Sequence, residues 1–347
     1  MTYDLPTLGL RPAMLTDLDP ETENLEDIVR VSAVHRDALE VLTLAGPARI
    51  RPLHAEDPLD RATVGDFVLV DTALERPARV LPRLSLFKRR AAGAEGEVQL
   101  IAANVDTAFV VSSCNADFNP ARLERFLAVV REAGAEPVVI LTKADLATDI
   151  PDYVDQARSV AGDALVEALD ARDRSALDRL SPWLGAGQTV ALLGSSGVGK
   201  TTLSNTLTGA EDGTAGIRED DGKGRHTTRA RSMRRLASGG WVIDTPGLRE
   251  LGLAGAAEGL SATFEGFAEL EARCRFTDCG HDTEPGCAVR AALETGRIDE
   301  ARWARYEKLK RENARNTESV AERRARSRDW GKFHKRLQQE HRKKKGL

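Results

Sequence analysis

The chain has no basic N-terminal region followed by an apolar stretch. It also has no run approaching the ~18 apolar residues needed to cross a bilayer. Both absences predict a cytoplasmic protein with no membrane partner. Cysteine is scarce: of four, Cys274, Cys279 and Cys287 fall within fourteen residues, and Cys114 stands alone in an apolar segment. That distribution forms no disulfide framework and offers no argument for secretion. Cys114 reads as a small buried hydrophobe. Internal repeats are missing as well, which excludes solenoid and propeller architectures.

What is present is modular. A length of 347 residues exceeds one ordinary core, and 41% hydrophobic content suffices for two or three. The net charge of −4 hides an asymmetry. Residues 301–347 hold 17 Lys/Arg against 6 Asp/Glu, a net +11, which leaves −15 on residues 1–300. The basic end is the expected polyanion-binding face.

Residues 1–25 are acidic, punctuated by proline and without periodicity, so they read as a mobile arm. Over residues 26–100 short β-rich runs (Arg30–Val34, Leu39–Leu44, Asp66–Asp71, Arg79–Leu81) are separated by Gly, Pro and Asp, as in a small OB-like barrel. Residues 101–255 then alternate apolar strands with helical stretches, the pattern of a doubly wound α/β sheet. Its expected strands are Ala108–Val111, Pro137–Leu141, Leu165–Ala168 and Thr189–Leu193. Asn119-Pro120 opens a helix through Ala133 that Gly134 closes. Residues 211–230 are polar and Gly-rich, as in a mobile loop; residues 256–300 form an α-rich module around the cysteines, and residues 301–347 a basic helical tail.

Three motifs carry the chemistry. Gly194-Ser195-Ser196-Gly197-Val198-Gly199-Lys200-Thr201, followed by Thr202, fits a P-loop between a strand and a helix. Its glycines let the backbone wrap phosphates, Lys200 reaches the β/γ oxygens and Thr201 can ligate Mg²⁺. Asp244-Thr245-Pro246-Gly247 follows the strand Trp241–Ile243, where a P-loop NTPase places an Asp for the Mg²⁺ shell and a Gly whose N–H meets the γ-phosphate. Thr142-Lys143-Ala144-Asp145 ends another strand. A carboxylate there accepts both N1–H and the N2 amino group of guanine, whereas adenine would leave it unpaired. The nucleotide is therefore GTP or GDP. Because the guanine element precedes the P-loop in the chain, the G domain is circularly permuted; the pocket survives since such sites form at the C-terminal ends of parallel strands. Finally Cys274-x4-Cys279-x-His281-x5-Cys287 supplies three thiolates and an imidazole, a closed tetrahedral set suited to one structural Zn²⁺.

In this order the motifs resemble the ribosome-small-subunit-dependent GTPase A (RsgA/YjeQ) family. Gly65-Asp66, Leu81-Pro82-Arg83, Ala103-Asn104-Val105-Asp106 and Gly224-Arg225-His226-Thr227-Thr228 add to the match. The resemblance implies an N-terminal OB domain, a permuted G domain and a C-terminal zinc domain. It also implies late assembly of the 30S subunit as the task, with 16S rRNA as partner, and we expect a monomer. Leu248 stands where Ras-like GTPases carry the water-orienting Gln. The resemblance points to His226 for that role, the alternative being a solvated loop residue or an RNA contact. Thr227 or Thr228 would close on Mg²⁺ and the γ-phosphate. Catalysis is accordingly expected from His226, Lys200 and Thr228.

Two departures from the family pattern stand out. Thr142 replaces the Asn of many GTPases, which should weaken the link between guanine loop and P-loop. Around Leu169-Asp170 a Ser-Ala pair that touches guanine is missing. In the tail, Trp303, Tyr306, Trp330 and Phe333 lie among Arg/Lys runs, which suits rRNA phosphates and base stacking, although a solvated helix face would look alike. With the second switch running into the zinc domain and the first G-domain strand emerging from the barrel, nucleotide state could change the spacing of two RNA-binding modules. A small-molecule kinase would leave Asp145, the cysteines and the tail without work. A scaffold holding GTP without turnover is the non-enzymatic rival.

Overall fold

The structure is a computed structural model, and it describes residues 2–52, 55–71, 76–90, 98–209, 231–243 and 255–317. His226, Thr227, Thr228, Asp244, Gly247, Leu248 and the tail beyond residue 317 lie outside the described residues, as does the loop 211–230.

Strands β1 (Ile28–Val34), β2 (Leu39–Thr43), β3 (Gly46–Ile50), β4 (Phe67–Asp71) and β5 (Arg76–Val80) pair antiparallel in the order β3-β2-β1-β4-β5. Val29, Val31, Leu39, Val41 and Val68 fill the space between them. Among the described residues no pairing joins β3 to β5, so closure of this sheet into a barrel is not seen. Strands β6 (Leu86–Arg90) and β7 (Val98–Ala103) form a separate hairpin, which the composition of the sequence did not signal.

The central sheet contains β8 (Thr107–Ser113), β9 (Glu136–Thr142), β10 (Leu165–Ala168), β11 (Thr189–Leu193), β12 (Arg231–Arg235) and β13 (Trp241–Ile243) in the order β10-β9-β8-β11-β13-β12. All neighbours are parallel except β12, which runs antiparallel to β13 and also pairs briefly with β1, tying the two sheets together. Successive strand residues face opposite layers. Ala108, Val110, Val139, Leu141, Ala191, Leu193 and Ile243 enter one core, while Phe109, Val111, Val138, Ile140, Val190, Leu192 and Val242 enter the other. Burial on both faces explains why these strands read as unbroken apolar runs.

Helix α1 (Pro120–Glu132) is capped by Asn119, whose side chain accepts from the Arg122 amide, and α2 (Ile150–Ala161) is capped in the same way by Asp149. Helices α3 (Arg174–Leu177) and α4 (Lys200–Thr208) follow β10 and β11. The C-terminal part comprises α5 (Ala257–Thr263), α6 (Phe267–Ala272), α7 (Ala288–Glu294) and α8 (Glu300–Thr317). Gly259 lets α5 lie directly on α1, because a Cβ there would sit 2.0 Å from the Ala128 carbonyl oxygen.

The N-terminal segment departs from expectation. Rather than forming a mobile arm, it buries Leu8, Leu10 and Met14 in the main core. The Trp241 indole donates to the Thr7 carbonyl at 2.9 Å, and Arg79 donates to Glu23 at 2.7 Å. Spaced apolar residues without helical or strand period gave no signal, because the chain uses them one at a time in turns.

Arg30 is a second surprise. It is 1% exposed, lies over the Phe67 ring, and donates to the Leu8 carbonyl, to Thr189 Oγ1 at 2.7 Å and to the Asn104 carbonyl at 3.4 Å. Burial pulls its pKa down to about 10. Around it gather the family-matching residues outside the G motifs. Arg83 grips the buried Asp66 through both carboxylate oxygens at 2.7 and 2.8 Å, Asn104 donates to the Gly65 carbonyl, and Asp106 accepts from the Thr189 amide and from Arg11. Those residues therefore form the joint between the two sheets.

Candidate functional site

The P-loop leaves β11 at the C-terminal edge of the parallel sheet, beside the ends of β8 and β13, where open α/β sheets bind ligands. Gly194 has φ +144°, and a Cβ on it would stand 2.2 Å from the Val111 carbonyl, so only glycine lets the loop start this close to β8. Val198 is buried and anchors the loop, while Ser196 and Gly197 are exposed at its tip. Lys200, 4% exposed, opens α4 and folds back to donate to the Gly194 carbonyl at 2.7 Å and to that of Ser195. Thr201 is exposed and Thr202 half-buried on the first turn of α4. Ser195 Oγ accepts from Arg122 of α1 at 3.1 Å.

The guanine motif ends β9 one strand further along. Lys143 takes a left-handed φ of +58°, which turns the chain into the short 3-10 segment Ala144–Leu146 and leaves the Asp145 side chain 27% exposed. Thr142, expected to weaken the tie to the P-loop, makes that tie instead. Its hydroxyl lies 2.5 Å from the Val198 carbonyl and 3.0 Å from that of Ser112, sharing one hydrogen between P-loop and β8. Thr142 sits at the buried end of β9, where residues 138–142 are all enclosed. Asp145 itself accepts from Arg172 at 2.7 Å. Strand β13 stops at Ile243, one residue before Asp244, beside β11. Thus the sheet brings Thr142, Lys143, Ala144, Asp145 and residues 194–202 to one edge.

Further along the chain, from Cys274, the protein builds a second centre. Cys274, Cys279, His281 and Cys287 place one donor atom each within 4.8 Å of one another. Cys274 Sγ lies 3.9 Å from Cys287 Sγ, and His281 Nδ1 lies 3.6 Å from both sulfurs. A tetrahedral ion with S bonds of ~2.3 Å sets its sulfurs roughly 3.8 Å apart, so the donor set fits such an ion. His281 adopts φ +62°, a conformation costly for a non-glycine residue that aims its ring into the cluster. The other ring nitrogen, Nε2, faces Glu271 Oε1 at 3.4 Å, and Glu271 in turn accepts from Tyr306 at 3.0 Å and Lys310 at 2.7 Å. Glu271 is a supporting residue that the spacing of the ligands gave no means of finding. Cys114, as expected, is buried, and burial pushes its thiol pKa up.

Two of the tail's four aromatics are buried in a core and so are not free for base stacking, while Trp330 and Phe333 lie outside the described residues. Trp303 and Tyr306 on α8 are each 5% exposed and pack with Phe264, Phe267 and the His281 ring at centroid separations of 5.3 to 5.4 Å. A small core thus lies beside the cysteines. Helix α8 also reaches the G domain: Arg305 pairs with the fully buried Glu124 of α1 at 2.5 Å, and Arg125 pairs with Glu312. No helix among the described residues is long and apolar enough to cross a membrane.

Comparison with known proteins agrees with this geometry. The family model described as RsgA GTPase matches residues 80–254. The chain is 44% identical over 341 residues to the small ribosomal subunit biogenesis GTPase RsgA 2 of Vibrio parahaemolyticus, covering 98% of this chain and 94% of that relative. It is 49% identical over 292 residues to the small ribosomal subunit biogenesis GTPase RsgA of Mesorhizobium japonicum, covering 83% and 84%. The crystal structure of YjeQ from Thermotoga maritima superimposes with a TM-score of 0.59 at 25% identity, over 82% of this chain and 96% of that one. YloQ, a circularly permuted GTPase, shares the fold with a TM-score of 0.57 at 23% identity, over 86% and 99%.

Proposed function

The chain belongs to the RsgA GTPase family, and on that premise we propose that it hydrolyses GTP to GDP and phosphate during late maturation of the 30S ribosomal subunit. The observation that supports this most is the bond between Thr142 and the Val198 carbonyl. It joins a guanine motif and a P-loop that stand in reversed chain order, so a nucleotide can touch both at once. The P-loop amides of residues 194–199 and Lys200 hold the β- and γ-phosphates, once Lys200 exchanges its loop carbonyls for phosphate oxygens. Asp145 accepts from the guanine edge, and Thr142, Lys143 and Ala144 shape the wall beside it. Thr202 joins the P-loop in holding the nucleotide, and Thr201, Thr227 or Thr228, and Asp244 are the residues that would serve the Mg²⁺ shell, which neutralises charge on the phosphates when bound. Gly247 senses the γ-phosphate, and His226 orients the attacking water.

Cys274, Cys279, His281 and Cys287 hold one Zn²⁺ in this reading; the all-donor, closed set gives the metal a structural role. The N-terminal sheet acts as an OB domain, and with the zinc module and the basic tail it contacts 16S rRNA. In this reading the OB domain spans about residues 26–100, the G domain 101–255 and the zinc module 256–300, with α8 continuing that module to residue 317. The chain works as a cytoplasmic monomer.

Turnover of GTP and ATP by the purified full chain tests the enzymatic part. GTP should yield GDP and phosphate while ATP remains intact. Equal turnover of both, or none of GTP, would overturn it.

A further inference from the structure

The loop after β10 contains a clamp that no motif of the nucleotide site accounts for. Leu169-Asp170-Ala171-Arg172 is stitched to its surroundings on three sides. The Leu169 amide donates to the Leu141 carbonyl at 2.9 Å, the Ala144 amide donates to the Leu169 carbonyl at 3.4 Å, and Thr206 of α4 donates to the Ala171 carbonyl at 2.8 Å. On this fixed turn Arg172 is held by Asp170. Its amide and its Nε both donate to Oδ1, at 2.9 and 3.0 Å, and its Nη2 donates to Oδ2 at 3.0 Å. This bidentate fork is the stronger, directional kind of ion pair, and it holds the Asp170 carboxyl below the usual carboxylate range. The remaining reach of Nη2 goes to Asp145 Oδ2 at 2.7 Å.

We propose that Arg172, clamped by Asp170, is a positioning residue for guanine recognition: it holds the Asp145 carboxylate in the orientation that reads the base. This rests on the reading of Asp145 as the guanine acceptor. A carboxylate offers about four lone-pair sites on its two oxygens. One receives Arg172, which leaves sites on both oxygens for guanine N1–H and the N2 amino group. Asp145 otherwise stands on a short 3-10 turn and is part-exposed, so without Arg172 its side chain would have to be ordered at the moment of binding. The Ser-Ala pair missing from this loop is thereby replaced by a charged device on the same loop. Arg172 is itself 66% exposed, so its value lies in fixing a geometry and not in stabilising the fold.

The test is equilibrium binding of GDP, inosine diphosphate and xanthosine diphosphate to the full chain, with steady-state GTP turnover alongside. Arg172→Ala should weaken GDP binding by on the order of tenfold, the size of one hydrogen bond to a charged group. It should also narrow the preference for GDP over inosine diphosphate, which lacks the N2 amino group. In turnover the loss should fall on KM and not on kcat. Asp170→Ala should reproduce these effects, and the double variant should be no worse than Arg172→Ala, because the two residues act as one unit. Unchanged or tighter GDP binding by Arg172→Ala, or an unchanged GDP to inosine diphosphate ratio, would overturn the proposal. Asp145→Asn run in parallel separates the two levels. A switch to xanthosine diphosphate with a silent Arg172→Ala sinks the clamp alone, whereas an Asp145→Asn variant that still prefers GDP sinks the guanine reading beneath it.

Discussion

In the parallel sheet every residue of β8 and β11 is buried, whereas from Ala272 to Gly286 in the cysteine loop no residue is. The first region is fixed by apolar layers on both faces, so the P-loop and the guanine loop start from strand ends that are already buried. The second has almost nothing to bury and relies on four donor atoms, the Phe264, Phe267, Trp303 and Tyr306 cluster, and the charged contacts of α8. The nucleotide side of the protein is thus held by hydrophobic burial, whereas the cysteine loop depends on the metal proposed for its four donors. Helix α8 connects the two regions, since Arg305 reaches Glu124 on α1 while Lys310 reaches Glu271 beside His281.

The contrast can be broken most severely at the metal. Binding of a structural Zn²⁺ contributes ~10 to 16 kcal/mol to small modules of this type. Cys279→Ser should therefore release zinc and unfold residues around 270–290, while GTP binding survives. Elemental analysis and hydrogen exchange check both halves. A protein that keeps a protected cysteine loop without zinc would show that the aromatic cluster suffices.

On the nucleotide side the expected effect is smaller and confined to chemistry. His226→Ala should slow hydrolysis by about 10²-fold, typical for loss of a positioned catalytic group, with nucleotide affinity nearly unchanged. Unaltered single-turnover rates would assign His226 to the loop or to RNA. The mildest change sharpens the link between the regions. Glu271→Gln keeps the shape but weakens the acceptor for His281, and outer-shell partners of metal-bound histidine are worth roughly 10- to 100-fold in affinity. Zinc should pass to a chelator faster from this variant at constant fold, and equal transfer would leave Glu271 as a partner of Tyr306 and Lys310 only.

What could be read from the sequence divides along the same line. The sheet, the P-loop, the guanine motif and the ligand set are legible because each depends on neighbours in the chain: unbroken apolar runs in β8 and β11, an Asn-Pro cap at α1, fixed spacing from Cys274 to Cys287. Features built from distant partners left no local trace. Arg30 looks like any strand arginine until Leu8 and Thr189 close over it. Trp303 and Tyr306 look like stacking residues until α8 folds onto Phe267. Thr142 looks like a weakened Asn until the Val198 carbonyl arrives within reach. Arg172 shows its role only because Asp145 and Asp170 converge from two loops.

The central claim is that this pocket turns over GTP in response to the small ribosomal subunit, and hydrolysis by the full chain with and without purified 30S subunits tests it most directly. The account predicts a saturable rise in GTP turnover with 30S, absent with 50S subunits and lost in the Asp145→Asn variant. A GTPase rate that is the same with and without 30S would contradict it.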